Sequence, residues 1–140
     1  MNTLNANAAG SCRLAIPGLH YIDARRALAW LEETFGAETR KVIDGLGGRV
    51  EHAEVWFGEA VVTLGSARGL VDDPTASTGR RVVYITVVDA ASVDALHHRA
   101  VRNKARVVRA LWDAPYNGSR EFGVHDPEGN YWMFGTYVPR

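Results

Sequence analysis

The chain has 140 residues, enough for one domain or for two small similar halves that share a core. Its 46% hydrophobic and 23% charged residues are typical of a globular protein. The 16 basic and 16 acidic residues cancel, so bulk attraction to nucleic acid or to an anionic membrane is not expected. No apolar run approaches the length of a membrane span, so the expected partners include neither nucleic acid nor membrane.

The N-terminal residues 1–11 predict a flexible tail. They carry neither the basic segment nor the apolar segment of a signal peptide. Cys12 is the only cysteine, which excludes an internal disulfide, and a cytoplasmic location is expected. A single folded domain is predicted over residues 12–140.

The first half of the chain predicts a strand, a helix and three further strands. Residues 13–22 form the first predicted strand, and Asp23 is the expected N-cap of the helix. Strands are predicted over residues 38–43, 50–57 and 60–65, the last two joined by a two-residue Gly58-Glu59 turn. The apolar positions of the helix recur at helical spacing and end before Gly36; they are Ala24, Leu28, Leu31 and Phe35.

The second half predicts the same order of elements. A strand over residues 81–88 leads to Asp89, which is expected to cap a helix with an apolar stripe. A strand over 106–110 and a loop over 111–119 follow. The chain then predicts a strand ending near His125, a turn through Asp-Pro-Glu-Gly-Asn and an aromatic final strand. The apolar stripe of the second helix consists of Val93, Leu96, Ala100 and Val101.

The two halves align as an internal duplication. Residues 21–24 match 87–90, and the strand ending at Gly65 matches the strand ending at Gly135. The pattern predicts an α+β fold of two tandem βαβββ modules. The modules are expected to span about 12–66 and 80–140, with a connecting loop over 67–79.

This arrangement resembles the vicinal oxygen chelate superfamily of glyoxalases, bleomycin-resistance proteins and extradiol dioxygenases. The resemblance implies an open, cup-shaped sheet that faces a ligand, and association of two chains into a homodimer. It is carried by four segments, IPGLHYIDARRALAWLEETFGAE, HAEVWFGEAVVTLG, VVYITVVDA and YNGSREFGVHDPEGNYWMFGTY.

In metal-using members of that superfamily, four His, Gln or Glu ligands lie one per key strand. The corresponding positions here are Ile16 and Val82, seven residues before each helix-opening aspartate, and Thr63 and Met133, in each module's last strand. None of the four is a ligand for a hard divalent cation, and only Met133 offers a soft donor. The resemblance therefore implies a metal-free member without a cofactor, unlike the glyoxalases and extradiol dioxygenases.

Strand alternation identifies the side chains that share a face with those positions. A hairpin closed at Gly58-Glu59 pairs Glu54 with Thr63, and directly opposed residues lie on one face of the sheet. The predicted ligand-binding residues mix aromatic and polar groups, as do sites for small organic molecules. They are His20, His52, Glu54, Trp56, Thr63, Tyr84, Thr86, Tyr131 and Met133.

Several of these residues are also consistent with purely structural roles. His20 fits a hydrogen-bonded strand histidine as well as a ligand contact. His52 and Glu54, two apart on one strand face, fit a structural pair at the sheet edge. Trp56 fits core or dimer packing.

Near the C-terminus, the predicted loop 111–119 contains Trp112 and Tyr116. We expect this loop either to close over the cup or to cover the sheet edge. Arg120 and Glu121 follow it, and they are expected to form surface or turn hydrogen bonds.

Two functions from different classes fit these observations. The first is a metal-free small-molecule binding protein, related to antibiotic-resistance proteins, that holds an aromatic or amphipathic compound in a cup between the two modules. The alternative is a glyoxalase-type lyase or isomerase. In that case His20, His52 and Glu54 would hold a non-standard metal or carry out acid–base chemistry. A third possibility is an interaction or structural module whose cup is filled by its own side chains.

Overall fold

The computed structural model describes residues 8–68 and 80–140. The predicted tail lies partly outside these ranges, and the predicted loop 67–79 lies mostly outside them. Of the tail, Ala8–Ser11 forms a short 3-10 helix. No helix within the two described ranges is long and apolar enough to cross a membrane.

Both halves of the chain fold as βαβββ modules. The first contains β1 (Gly18–Tyr21), α1 (Ala24–Phe35), β2 (Glu38–Asp44), β3 (Val50–Phe57) and β4 (Ala60–Ser66). The second contains β5 (Val82–Thr86), α2 (Ala90–Arg102), β6 (Arg106–Asp113), β7 (Arg120–His125) and β8 (Tyr131–Gly135). The strand orders β1-β4-β3-β2 and β5-β8-β7-β6 are equivalent, which confirms the predicted duplication.

Both helices begin after the predicted N-cap residues, and the first helix ends at the predicted glycine. The side chains of Asp23 and Asp89 each accept a hydrogen bond from the amide nitrogen three residues later, at 3.1 and 2.8 Å. Gly36 ends α1 in the left-handed conformation (φ 72°), which glycine adopts without steric cost. One stripe position is wrong: Val101 is half exposed, because it lies one residue beyond the buried Ala100 and is rotated away from the sheet.

Three strands differ most from the sequence prediction. β1 starts only at Gly18, after Pro17, which has no N–H to donate to a neighbouring strand. β5 is likewise shorter than the predicted strand 81–88. β6 continues to Asp113, three residues into the predicted loop, because Trp112 and Asp113 pair with the first residues of β7.

One hydrophobic core joins the two modules. The rings of Phe35 from α1 and Phe134 from β8 lie 4.4 Å apart, and those of Phe57 and Trp132 lie 5.6 Å apart. Both sheets contribute alternate, buried side chains to this core. The helix-covered faces of both sheets therefore contribute to one core, and the opposite faces, called here the outward faces, point away from this core.

The turn between β7 and β8 attaches the second module to the first. The buried Asp126 carboxylate accepts hydrogen bonds from the Tyr21 hydroxyl (2.6 Å) and from Trp132 Nε1 (3.0 Å). Burial, together with this carboxylate, strongly raises the pKa of Tyr21. Glu128 accepts hydrogen bonds from the backbone nitrogens of Ile22 and Asp23, at 2.7 and 2.9 Å. The predicted turn of the second module is thus hydrogen-bonded to the first module at the start of α1.

Candidate functional site

The predicted lining residues of the first module lie on the outward face of the first sheet. The β3–β4 register is the predicted one, with Glu54 opposite Thr63. His52 Nε2 lies 3.6 Å from Glu54 Oε2, and both side chains remain partly exposed. His20, in β1, pairs with Gly65 of β4 and is half-buried. These residues present two imidazoles and one carboxylate on a single face.

Trp56 lies on the same face and is partly covered. The guanidinium of Arg40 lies 4.5 Å from the centre of the indole ring, a favourable cation–π distance. The indole nitrogen of Trp56 is buried and has no hydrogen-bond acceptor among the described residues. One face of this ring is therefore already occupied by a cation of the chain itself.

The predicted residues of the second module lie on the outward face of the second sheet. Tyr84 in β5 is paired with Met133 in β8, so both point to this side. Thr86 donates a hydrogen bond from its hydroxyl to the backbone oxygen of Tyr137, at 2.8 Å. The ring of Tyr131 stands edge-on to His125, with ring centres 5.7 Å apart.

A buried carboxylate that the sequence analysis did not assign to the site lies beside them. Glu121 on β7 is only 1% exposed. Its Oε1 accepts hydrogen bonds from Trp112 Nε1 and the Tyr116 hydroxyl, both at 3.2 Å, and its Oε2 accepts one from the Tyr84 hydroxyl at 2.9 Å. All three donors are neutral. Within residues 8–68 and 80–140, no salt bridge to Glu121 is formed.

The prediction of surface hydrogen bonds is therefore correct for Arg120 and wrong for Glu121. Arg120 forms ion pairs with Asp94 (2.9 Å) and Asp113 (3.6 Å). Glu121 points to the outward face, because it is two residues from Gly123, the residue paired with Met133. Extending the same alternation from the final strand into β7 would have found it.

The side chains around Glu121 line a cavity of about 480 Å³, called here the C-terminal pocket. Burial, and to a lesser extent the charge of Glu121, raises the pKa of Tyr84 to about 12. Tyr84 is therefore a neutral hydrogen-bond donor at physiological pH. Gly135 leaves the room that this hydroxyl occupies, since a β-carbon there would overlap it. The pocket is lined by Tyr84, Tyr116, Asn117, Glu121, Met133 and Tyr137.

The four positions that correspond to metal ligands do not present a donor set. Thr63 and Met133 are half-buried on the outward faces, whereas Ile16 and Val82 are exposed apolar residues. In the described parts of the chain, no three or more His, Cys, Asp or Glu side chains come together as a metal site. His20, His52 and Glu54 therefore do not assemble the non-standard site considered from the sequence. The four corresponding positions themselves offer no His, Asp or Glu donor.

The cavities among the described residues do not combine the predicted lining residues of the two modules. The modules share one core on their helix-covered sides, and both sets of lining residues lie on the opposite sides of their sheets. A cavity of about 750 Å³ does lie between the modules, at the end of α1 and beside α2. Of the predicted lining residues only Thr86 reaches it, and its floor is formed by Phe35, Phe57, Ile85 and Phe134.

Two tandem βαβββ modules with open sheets define a protein of the glyoxalase fold. A sequence profile of the glyoxalase/bleomycin resistance protein/dioxygenase superfamily matches residues 15–134, and the chain belongs to this superfamily. No curated protein sequence matches the chain significantly.

Solved structures of the same fold are numerous. The crystal structure of TioX from Micromonospora sp. ML1 is 27% identical with a TM-score of 0.72, covering 91% of this chain and 100% of TioX. A glyoxalase/bleomycin resistance protein from Streptomyces sp. CB03234 is 22% identical (TM-score 0.65, 87% and 98% covered). Lactoylglutathione lyase from Agrobacterium tumefaciens is 21% identical (TM-score 0.66, 89% and 94% covered).

Proposed function

We propose that this protein is a metal-free, small-molecule binding member of its superfamily, which sequesters an aromatic or amphipathic compound. The observation that carries the proposal is the pair of outward faces, which combine aromatic rings with a few polar groups. Neither face offers a ligand for a hard divalent cation at the four corresponding positions. Such a mixture suits an organic ligand held without chemical change.

We further propose that the complete cup forms between two copies of the chain, the first sheet of one copy facing the second sheet of the other. Among the described strands, β1 pairs only with β4 and β5 only with β8, so each sheet has an open edge on this side. Apolar side chains that flank these edges are exposed, which favours their burial in an association. They are Leu14, Ile16, Ile22, Val82 and Val88.

Cross-linking tests the two-copy cup directly. In a Cys12→Ser background, chains carrying Thr63→Cys are mixed with chains carrying Met133→Cys and treated with a short bis-maleimide. We expect a mixed Thr63–Met133 cross-linked dimer, because the two positions would face each other across the cup. Mass spectrometry of the peptides identifies which residues are joined, and analytical ultracentrifugation of the untreated protein gives the oligomeric state.

A chain that carries both cysteines is the matched control. If the cup lies between copies, the double variant cross-links between chains, and an intrachain bridge at high dilution would contradict the arrangement. A monomeric protein would contradict it as well. Purification without chelator followed by elemental analysis tests the metal-free state, and a stoichiometric divalent ion would overturn it.

The lyase or isomerase alternative is favoured by one observation, the approach of His52 to Glu54 on an outward face. A carboxylate beside an imidazole can orient it as a general base. If this pair performs catalysis, His52→Ala together with Glu54→Gln should reduce turnover of a glutathione hemithioacetal by about 100-fold or more. Unchanged turnover in this variant, or no turnover by the wild-type protein, would exclude this version of the enzyme.

A further inference from the structure

We propose that the C-terminal pocket recognises an ammonium group, so that the ligand of this protein is an organic cation with an aromatic or apolar body. Glu121 supplies the counter-charge and the surrounding tyrosines supply the walls. The inference names the class of ligand for the proposed cup and rests on that proposed function. It requires only the second sheet of one chain.

The first step is the unbalanced charge of Glu121. An ionised carboxylate offers about four lone-pair sites, and three are used here by neutral donors. Neutral donors solvate the carboxylate without cancelling its charge. A charge buried without a counter-ion is unfavourable, so the pocket gains free energy when a cation enters it.

The second step is the shape and chemistry of the walls. Tyr84 and Tyr137 stand nearly perpendicular, with ring centres 6.3 Å apart, and Tyr116 contributes a third ring. The faces of such rings carry negative electrostatic potential, and aromatic walls of this kind recognise ammonium groups. The polarizable Met133 completes the pocket where metal-using relatives would carry a ligand. The Glu121 carboxylate and the aromatic walls of the pocket therefore both favour the binding of a cation.

The third step concerns competing cations. No basic side chain lines the C-terminal pocket. The guanidinium of Arg109 is stacked on the ring of Trp112 at 4.0 Å, and it does not approach Glu121 closely enough to form an ion pair. Arg120 is held by Asp94 and Asp113. Arg109 and Arg120 thus have other partners among the described residues.

The fourth step is access to the carboxylate. Tyr84 is held twice, by its bond to Glu121 and by a hydrogen bond from the Tyr137 backbone nitrogen at 3.2 Å. Tyr116, by contrast, is 70% exposed and makes a longer hydrogen bond to Glu121. An entering ammonium can therefore replace the Tyr116 hydroxyl at Oε1 while Tyr84 stays in place.

The experiment compares three probes of similar size and different charge: phenethylammonium, phenethyl alcohol and phenylacetate. Each is titrated into ¹⁵N-labelled protein, and the Trp112 indole N–H resonance, assigned with a Trp112→Phe variant, reports on the pocket. We expect phenethylammonium to bind about tenfold or more tightly than the alcohol, because the new hydrogen bond is charge-assisted. Phenylacetate should bind more weakly than either. Equal affinity of the ammonium and the alcohol would overturn the proposal.

Glu121→Gln isolates the charge, since it keeps an acceptor of nearly the same shape. It should lower phenethylammonium affinity by about tenfold and leave phenethyl alcohol unchanged. Glu33→Gln, on the exposed surface of α1, is the matched control and should retain the wild-type preference. A preference that survives Glu121→Gln would contradict the assignment.

If Glu121→Gln fails to fold, Tyr116→Phe provides a second test. It keeps the ring and removes the competing donor, so phenethylammonium should bind several-fold more tightly; unchanged or weaker binding would overturn the proposal. The probes separate this inference from the two-copy cup. If a monomeric protein prefers phenethylammonium to phenethyl alcohol, the result supports the ammonium site and refutes the two-copy cup. If the cross-linked dimer forms but shows no preference between these probes, the result supports the two-copy cup and refutes the ammonium site.

Discussion

Replacing Asp126 with alanine is expected to lower the free energy of unfolding by about 3–5 kcal/mol, because it leaves at least two buried donors without an acceptor. These donors are the Tyr21 hydroxyl and Trp132 Nε1, both bonded to Oδ2. Oδ1 also accepts hydrogen bonds from the backbone nitrogens of Glu128 and Asn130, at 3.0 and 2.9 Å, so the turn itself is weakened. Equilibrium unfolding in urea, followed by tryptophan fluorescence, measures the change.

Asp44→Ala is the matched control for the loss of an aspartate. Asp44 is exposed and pairs with Arg25 on the surface, and such pairs contribute about 0–1 kcal/mol. A double-mutant cycle of Asp126→Ala with Tyr21→Phe measures the coupling across the two modules. Equal losses from the Asp126 and Asp44 substitutions, or a coupling free energy near zero, would show that the turn does not join the modules.

Phe134→Ala is expected to have the second large effect, again about 3–5 kcal/mol of stability. Phe134 is 1% exposed, and its ring lies against Phe35 of α1 at 4.4 Å and is stacked on Phe122 of β7 at 5.5 Å. The substitution leaves a cavity between the modules, where neither module alone can repack. Urea unfolding gives the loss, and the slope with denaturant reports whether the transition remains cooperative.

Leu46→Ala is the control for the loss of apolar atoms; it removes half as many carbons as Phe134→Ala, and from an exposed position. It should change stability by less than about 0.5 kcal/mol. A Phe134→Ala loss as small as this would mean that the shared core does not hold the modules together. If a folded Phe134→Ala variant still binds phenethylammonium, the loss of stability arises in the core and not in the C-terminal pocket.

Both predictions concern the same structural fact, the packing of the modules through their helix-covered faces. Asp126 and Phe134 lie in the second module and contact residues of the first. The outward face of each sheet lies on the side away from this shared core. For this reason the proposed function completes the cup with a second copy of the chain.

Local features of the fold follow from short stretches of sequence. Asp23 and Asp89 cap their helices because an aspartate side chain can satisfy the first free amide groups, whatever lies further along the chain. The β3–β4 register follows from the Gly58-Glu59 turn and places Glu54 opposite Thr63. The order of elements in the two modules is also predicted correctly, because each element is indicated by its own short segment of sequence.

The burial of Glu121 in the C-terminal pocket could not be predicted from short stretches of sequence. Whether Glu121 is solvated or buried depends on Trp112, Tyr116 and Tyr84, the last of which is 37 residues away in the chain. Trp112 belongs to β6 only because it pairs with Glu121 itself. Alternation can place Glu121 on the outward face, but no local signal shows that it is buried or that Trp112 covers it, so the sequence predicted a loop and a surface carboxylate.

The sequence by itself determined the two βαβββ modules, their helix caps, the hairpin register and which side chains share a face of each sheet, because these depend on local propensity and on alternation along a strand. Only the tertiary structure decided how the modules are joined, and therefore that both sets of lining residues lie on the sides of the sheets away from the shared core. Alternation identifies the members of a face but not the partner that covers it. That choice is made by long-range contacts such as Tyr21 with Asp126 and Phe35 with Phe134.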